Sequence, residues 1–191
     1  MRVLVVDESA ERADVLRAAL LAAGYEVTAS LSSPLALLHT IERLRPEVIV
    51  IDTDSPSRDV LEHLVVMSQH TPRPVVMFAA DRAPTTIREA TRAGVSAYVV
   101  DGLDPSRIRV IVDAAVARFE EMQTLRAQLA EARERLAERK LVERAKGLLM
   151  KSRGLDEEEA YRLLRQMAME RSLRIGEVAQ RIVDAKDLLG A

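Results

Sequence analysis

The chain has no cysteine and no tryptophan, and aromatic residues make up only 3% of its 191 residues. Without thiols it has no disulfide framework, no thiolate–metal site and no cysteine nucleophile. No stretch approaches the roughly 18 apolar residues of a membrane span. The opening run MRVLVVDES has neither the basic start nor the apolar core of a secretory signal. A cytoplasmic protein with no membrane partner is therefore expected. No glycine-rich phosphate loop is present, no nucleophile–base pair is visible, and His39, His63 and His70 fall on helices or loops away from the strand-end acids Asp7, Glu8 and Asp52. The chain is not expected to be an enzyme.

What is present suits a soluble protein of one medium and one small domain: 48% hydrophobic and 30% charged residues. The net charge of −2 is unevenly spread. Residues 1–115 carry 12 Lys/Arg against 16 Asp/Glu, leaving 16 against 14 beyond. Arg139, Lys140, Arg144, Lys146, Lys151 and Arg153 are opposed within their own span only by Glu143. Such a cluster suggests a polyanionic partner, although a solvated helix face has the same composition.

Short β-branched runs alternate with helical spacing through residue 113 or so: Val3–Val6, Glu26–Ser30, Val48–Ile51, Val75–Phe78 and Ala97–Val100. Between them Val15, Leu16, Ala19 and Leu20, then Leu35, Leu38, Ile41 and Leu44, then Ile87, Ala90 and Ala93, mark helices. Ser33–Pro34 supplies a cap and a first-turn proline for the second of these. The pattern predicts an α/β domain over 1–118, a five-stranded parallel doubly wound sheet whose chemistry sits at the carboxyl ends of the strands. Asp104–Pro105 caps a helix with no glycine or proline from Ser106 to Lys140. Along it Met122, Leu125, Leu129, Ala132 and Leu136 recur at steps of three and four, a heptad seam that predicts a dimerising coiled coil over 119–138. A long helix packed within its own chain is the alternative. Residues 139–191 predict a small all-α domain of three helices, the first interrupted by Gly147 and ended at Gly154, the second capped by Asp156.

Asp7 and Glu8 end the first strand and Asp52 ends the third, so carboxylates converge at one crevice. Oxygen ligands of this kind suit Mg²⁺, and an aspartate beside it can accept a phosphoryl group. The VVDE and IDTDSP motifs resemble the receiver domain of two-component response regulators. That resemblance implies Asp52 as phosphoacceptor, with Asp7, Glu8 and Asp52 around Mg²⁺, and no other cofactor. Two positions depart from it. Receivers carry Thr or Ser at the end of strand four and Lys at the end of strand five, where this chain has Ala79 and Asp101. An extra carboxylate about 5 Å from another costs on the order of 3 kcal/mol at an effective dielectric constant near 20. Phosphorylation of Asp52 is therefore expected to be weak as a switch.

The run RKLVERAKGLLMKSRGLDEEEAYRLLRQMAMERSLRIGEVAQRIV resembles the ANTAR domain of the AmiR and NasT transcription antiterminators. The match is carried by Ala145–Met150, Glu159–Tyr161, Leu164, Arg165, Ala168, Met169 and Val178–Ala179, and AYVVDGLDP is similar to the NasT branch. The resemblance implies a signal-responsive antitermination regulator that holds stem–loops of nascent leader RNA, acts on the transcription machinery indirectly and serves nitrate assimilation. It also implies a homodimer and control by a ligand-sensing partner protein or a histidine kinase. RNA-contact candidates are Arg139, Lys140, Arg144, Lys146, Lys151, Arg153 and Arg165, while Tyr161 is either core or an RNA contact. Dimerisation is assigned to Met122, Leu125, Leu129 and Leu136. A DNA-binding response regulator is the principal alternative, since three terminal helices can also hold a helix-turn-helix. A basic module docking an acidic protein is a further one.

Overall fold

The computed structural model describes residues 1–33, 36–100 and 102–189. Pro34, Leu35 and Asp101 lie outside the described residues, and with them the expected proline start of the second helix. The chain divides into two compact units, Met1–Gln123 and Thr124–Ala191.

In the first unit, the β-branched runs form β1 (Arg2–Asp7), β2 (Glu26–Leu31), β3 (Val48–Thr53), β4 (Val75–Ala79) and β5 (Ala97–Val100). They pair in parallel in the order β2-β1-β3-β4-β5. Val48–Ile51 are buried without alternation, as expected of a strand covered on both faces. Helices α1 (Ala10–Ala22), α2 (Leu37–Leu44), α3 (Arg58–His70) and α4 (Pro84–Ala93) fill the crossovers. Leu16 and Leu20 of α1 pack on one face of the sheet with Val3, Val5, Val50 and Phe78. Leu37 and Ile41 of α2, Leu64 and Met67 of α3 and Ala90 of α4 pack on the other with Leu4, Ile49 and Met77. Two expectations shift here. Val15 is exposed on α1, and the inward face of α2 adds buried Leu37 and Thr40 to Ile41, with Leu38 half-buried against the same core and Leu44 half-buried at the helix end.

Local chemistry fixes the ends. Ser9 and Ser57 accept from the amides of Arg12 and Val60 at the starts of α1 and α3. Gly94 ends α4 at φ +108°, where a Cβ would come within 2.9 Å of the Ser68 Cβ; an L side chain fits neither condition.

Helix α5 runs unbroken from Ile108 to Arg153, 46 residues. It starts later than the Asp104 cap suggested, because the Asp104 carboxylate takes the amide and hydroxyl of Ser106 and holds a turn instead. Its first turns join the sheet core through Ile108, Val112 and Ala115. The Tyr25 hydroxyl donates to the Asp113 carboxylate at 2.9 Å, and burial followed by that bond pushes the phenol up to about 12. Gly147 does not break the helix; Gly154, at φ +67°, ends it.

In the second unit, the last part of α5 packs with α6 (Glu157–Glu170) and α7 (Ile175–Leu189). A reciprocal capping box opens α6: Asp156 accepts from the Glu159 amide at 2.8 Å, and Glu159 accepts from the Asp156 amide at 3.0 Å. Ala145, Ala160, Ala168 and Ala179 allow close helix approach around Leu164. Among the described residues, no helix is long and apolar enough to cross a membrane.

Candidate functional site

Strand order reverses between β1 and β3, and their register sets Asp7 directly beside Asp52. Asp7 is buried, while Glu8 is exposed and does not join it. The third participant is a cation absent from the sequence-based candidates. Arg12, in the first turn of α1, places Nε and Nη2 at 3.4 and 3.3 Å from Asp7 Oδ1. Its Nη1 donates to Asp54 Oδ1 at 2.7 Å. Asp7 Oδ1 also accepts from the Ser9 amide at 2.8 Å, which leaves Oδ2 buried without a partner.

The Asp52 carboxyl is raised above its ordinary value, first by burial and then by the charge of Asp7, with Arg12 opposing. Ala79, 2% exposed, ends β4 and brings no hydroxyl to the crevice. A cavity of about 440 Å³ opens there, lined by Arg12, Asp52, Asp54, Ala79 and Arg82 among others. Beside it Asp81 accepts from the Ala83 amide, the Ser55 hydroxyl and the Thr86 hydroxyl, and these bonds, the amide first, lower its carboxyl. The Tyr98 hydroxyl of β5 donates to the Asp81 carbonyl at 2.9 Å, so Asp81 ties the loop after β3, the first turn of α4 and β5 together.

A divalent cation here would meet the carboxylates of Asp7 and Asp52, with Asp7 Oδ2 free of any protein hydrogen bond. The expected trio of Asp7, Glu8 and Asp52 does not assemble, and no group of three acidic, His or Cys side chains that could hold a metal occurs among the described residues. One Asp7 oxygen already carries a guanidinium, which supplies positive charge without coordination.

In the second unit Arg139, Lys140, Arg144, Lys151, Arg153 and Arg165 are exposed. Lys146 is not: it is 7% exposed, and its Nζ donates to Glu143 Oε1 at 2.9 Å and Glu157 Oε1 at 2.8 Å. The expectation that Lys146 meets phosphate is therefore corrected, since its ammonium is committed to joining α5 to the first turn of α6. These bonds raise the ammonium above its ordinary value and lower the Glu157 carboxyl. Tyr161 is 45% exposed, and is not the core residue that one sequence-based alternative made it. On the first part of the second unit's α5, Leu125, Leu129 and Leu136 are each more than half exposed.

Residues 3–113 match the response regulator receiver domain, and residues 130–183 match the ANTAR domain. The transcriptional regulatory protein PdtaR of Mycobacterium tuberculosis is 30% identical over 187 residues, covering 96% of this chain and 89% of PdtaR. The chain belongs to the ANTAR-domain response regulators of the AmiR/NasT type. A nitrate regulatory protein of Klebsiella oxytoca is 44% identical to this regulator over 68 residues, 36% of the chain and 17% of that protein. Protein-glutamate methylesterases of Xanthomonas match over 102 residues, but only 28% of their length, so the likeness is partial. The regulator's first unit has the fold of the receiver domain of a Desulfovibrio desulfuricans diguanylate cyclase (TM-score 0.56, 18% identity, 63% of this chain and 97% of that one). The receiver domain of Mycobacterium tuberculosis NarL is similar to it as well (TM-score 0.54, 22% identity, 60% and 94%).

Proposed function

We propose that this regulator prevents transcription termination by binding stem–loop RNA in nascent leader transcripts through its ANTAR unit, under control of the receiver-like unit. The observation that carries the proposal is the set of basic residues in the run Arg139–Arg153 of α5, exposed but for Lys146, on a unit of ANTAR family, with the one acid inside the run, Glu143, already paired with Lys146. Phosphate contacts from such a run give affinity and register. The test is a selection from hairpins with random loops, followed by salt titration of the recovered RNA against duplex DNA of the same sequence. RNA is expected to bind at least tenfold more tightly; equal or tighter binding of the duplex contradicts the proposal and favours a DNA-binding regulator.

The working form is a homodimer joined along Met122, Leu125, Leu129 and Leu136, whose 45–55% exposure leaves apolar area to cover. Each contributes roughly 1.5–3 kcal/mol when fully buried. Leu129→Glu is expected to sediment as a monomer where the wild type sediments as a dimer, and a dimeric variant moves the interface elsewhere.

Control comes from a signal-sensing partner protein rather than a phosphorylated Asp52, with nitrate or nitrite as the signal the NasT likeness suggests. The partner holds the form that does not bind RNA and releases it when its ligand lowers that affinity. Arg12 supports this route, because it supplies inside the fold the positive charge that Mg²⁺ would bring. The unfolding temperature of the wild-type receiver-like unit is expected to be independent of millimolar Mg²⁺. Arg12→Ala, which removes the guanidinium from Asp7 Oδ1, is expected to be raised by Mg²⁺ by several degrees. A wild type stabilised as much as the variant overturns the role given to Arg12.

A further inference from the structure

Gly147 stands in the interior of a long helix, where glycine is the least favourable residue short of proline. A structural reason for such a glycine is close approach by another part of the chain, or a left-handed turn. Neither applies. A Cβ built at Gly147 meets nothing within 4 Å, and the residue is exposed and not among those with positive φ. Gly176 shows the contrast, since a Cβ there would lie 2.8 Å from Glu138 Cγ.

The neighbours of Gly147 point outward from the molecule. Lys140, Glu143, Arg144 and Lys151 lie at positions −7, −4, −3 and +4 from it, so they share one stripe of α5 with it, and all are exposed. The one acid among them, Glu143, accepts from Lys146 Nζ at 2.9 Å. At 1.5 Å per residue the stripe is about 16 Å long. Glycine leaves a notch between cations, where an approaching strand can lie against the helix backbone. Closer approach also strengthens each flanking charge, because Coulomb energy rises as separation falls.

We infer that Gly147 is the seat of an RNA phosphodiester backbone, clamped by Lys140 and Arg144 on one side and Lys151 on the other. The inference rests on the RNA-binding function proposed above and adds the place of closest contact. It sets affinity and register rather than base choice, since the groups that flank the notch recognise phosphate.

Gly147→Ala and Gly147→Leu in the full-length chain separate this role from a structural one. Alanine favours helix, so the melting temperature of the second unit is expected to rise by a few degrees while affinity for the selected hairpin RNA falls about tenfold. Leucine, which fills the notch, is expected to lower affinity about a hundredfold with helix content unchanged. Wild-type affinity in both variants overturns the inference and leaves RNA binding standing, as does a loss of affinity that follows only a loss of stability. A wild type that binds no RNA removes the proposed function itself, and this contact with it.

Discussion

Replacing Lys140, Arg144, Lys151 and Arg165 together with alanine is expected to weaken RNA binding by roughly two orders of magnitude near physiological salt and to flatten the log affinity–log salt slope by about 3 units. Each phosphate contact to a single strand contributes about 0.7 to that slope, and all four side chains are exposed. Lys146→Met serves as the contrasting variant. It should leave the slope nearly unchanged and lower the stability of the second unit, because the ammonium binds Glu143 and Glu157 rather than solvent. The pH dependence follows the same pair. The lowered Glu157 carboxyl gives stability that is present above the ordinary carboxylate range and lost as pH falls through its depressed value. The raised Lys146 ammonium gives stability that is present below the ordinary lysine range and lost as pH rises through its elevated value. Both dependences should fade in Lys146→Met, measured by thermal melts across pH. An equal loss of slope in Lys146→Met and in the fourfold variant would mean that Lys146 reaches RNA after all.

Leu164→Ala is expected to unfold the second unit while leaving the first intact. Leu164 is fully buried where α5, α6 and α7 meet, and its immediate surroundings include Ala145, Ala160, Ala168 and Ala179, which cannot collapse far into a cavity. Leucine-to-alanine changes at such sites cost about 2–5 kcal/mol, and a unit of this size has little stability to lose. Calorimetry should show the receiver-like transition preserved and the other shifted below it or absent, with RNA binding lost in parallel. A single transition moved as one would show that the two units unfold together.

Much of this was legible because period and punctuation agree. The five β-branched runs are β1 to β5 within a residue or two, and the placement of Asp7 and Asp52 at strand ends gave their convergence before any register was known. Glu8 lies outside the crevice because β1 ends at Asp7 and the chain bends at Glu8, which leaves its side chain exposed while Asp7 stays buried. The acids of the crevice do not by themselves point to Arg12. Its sign was there, an arginine in the first helical turn five residues after Asp7.

Composition alone places Lys146 with the basic cluster. Its spacing told otherwise, four residues after Val142 and three before Leu149, on the edge of the stripe that packs inward. Gly147 looked like a helix break, yet one exposed glycine costs only about 1 kcal/mol, less than the packing of Ala145 and Leu149 on either side returns.

Ultraviolet crosslinking in living cells, followed by sequencing of the nucleic acid bound to the full-length protein, tests RNA recognition by the ANTAR unit most directly. The wild type is expected to recover RNA from the 5′ leaders of a few operons, concentrated at hairpins upstream of terminators, and the fourfold basic variant to lose those reads. Recovery of promoter DNA in place of leader RNA, or leader reads unchanged in the variant, would contradict it.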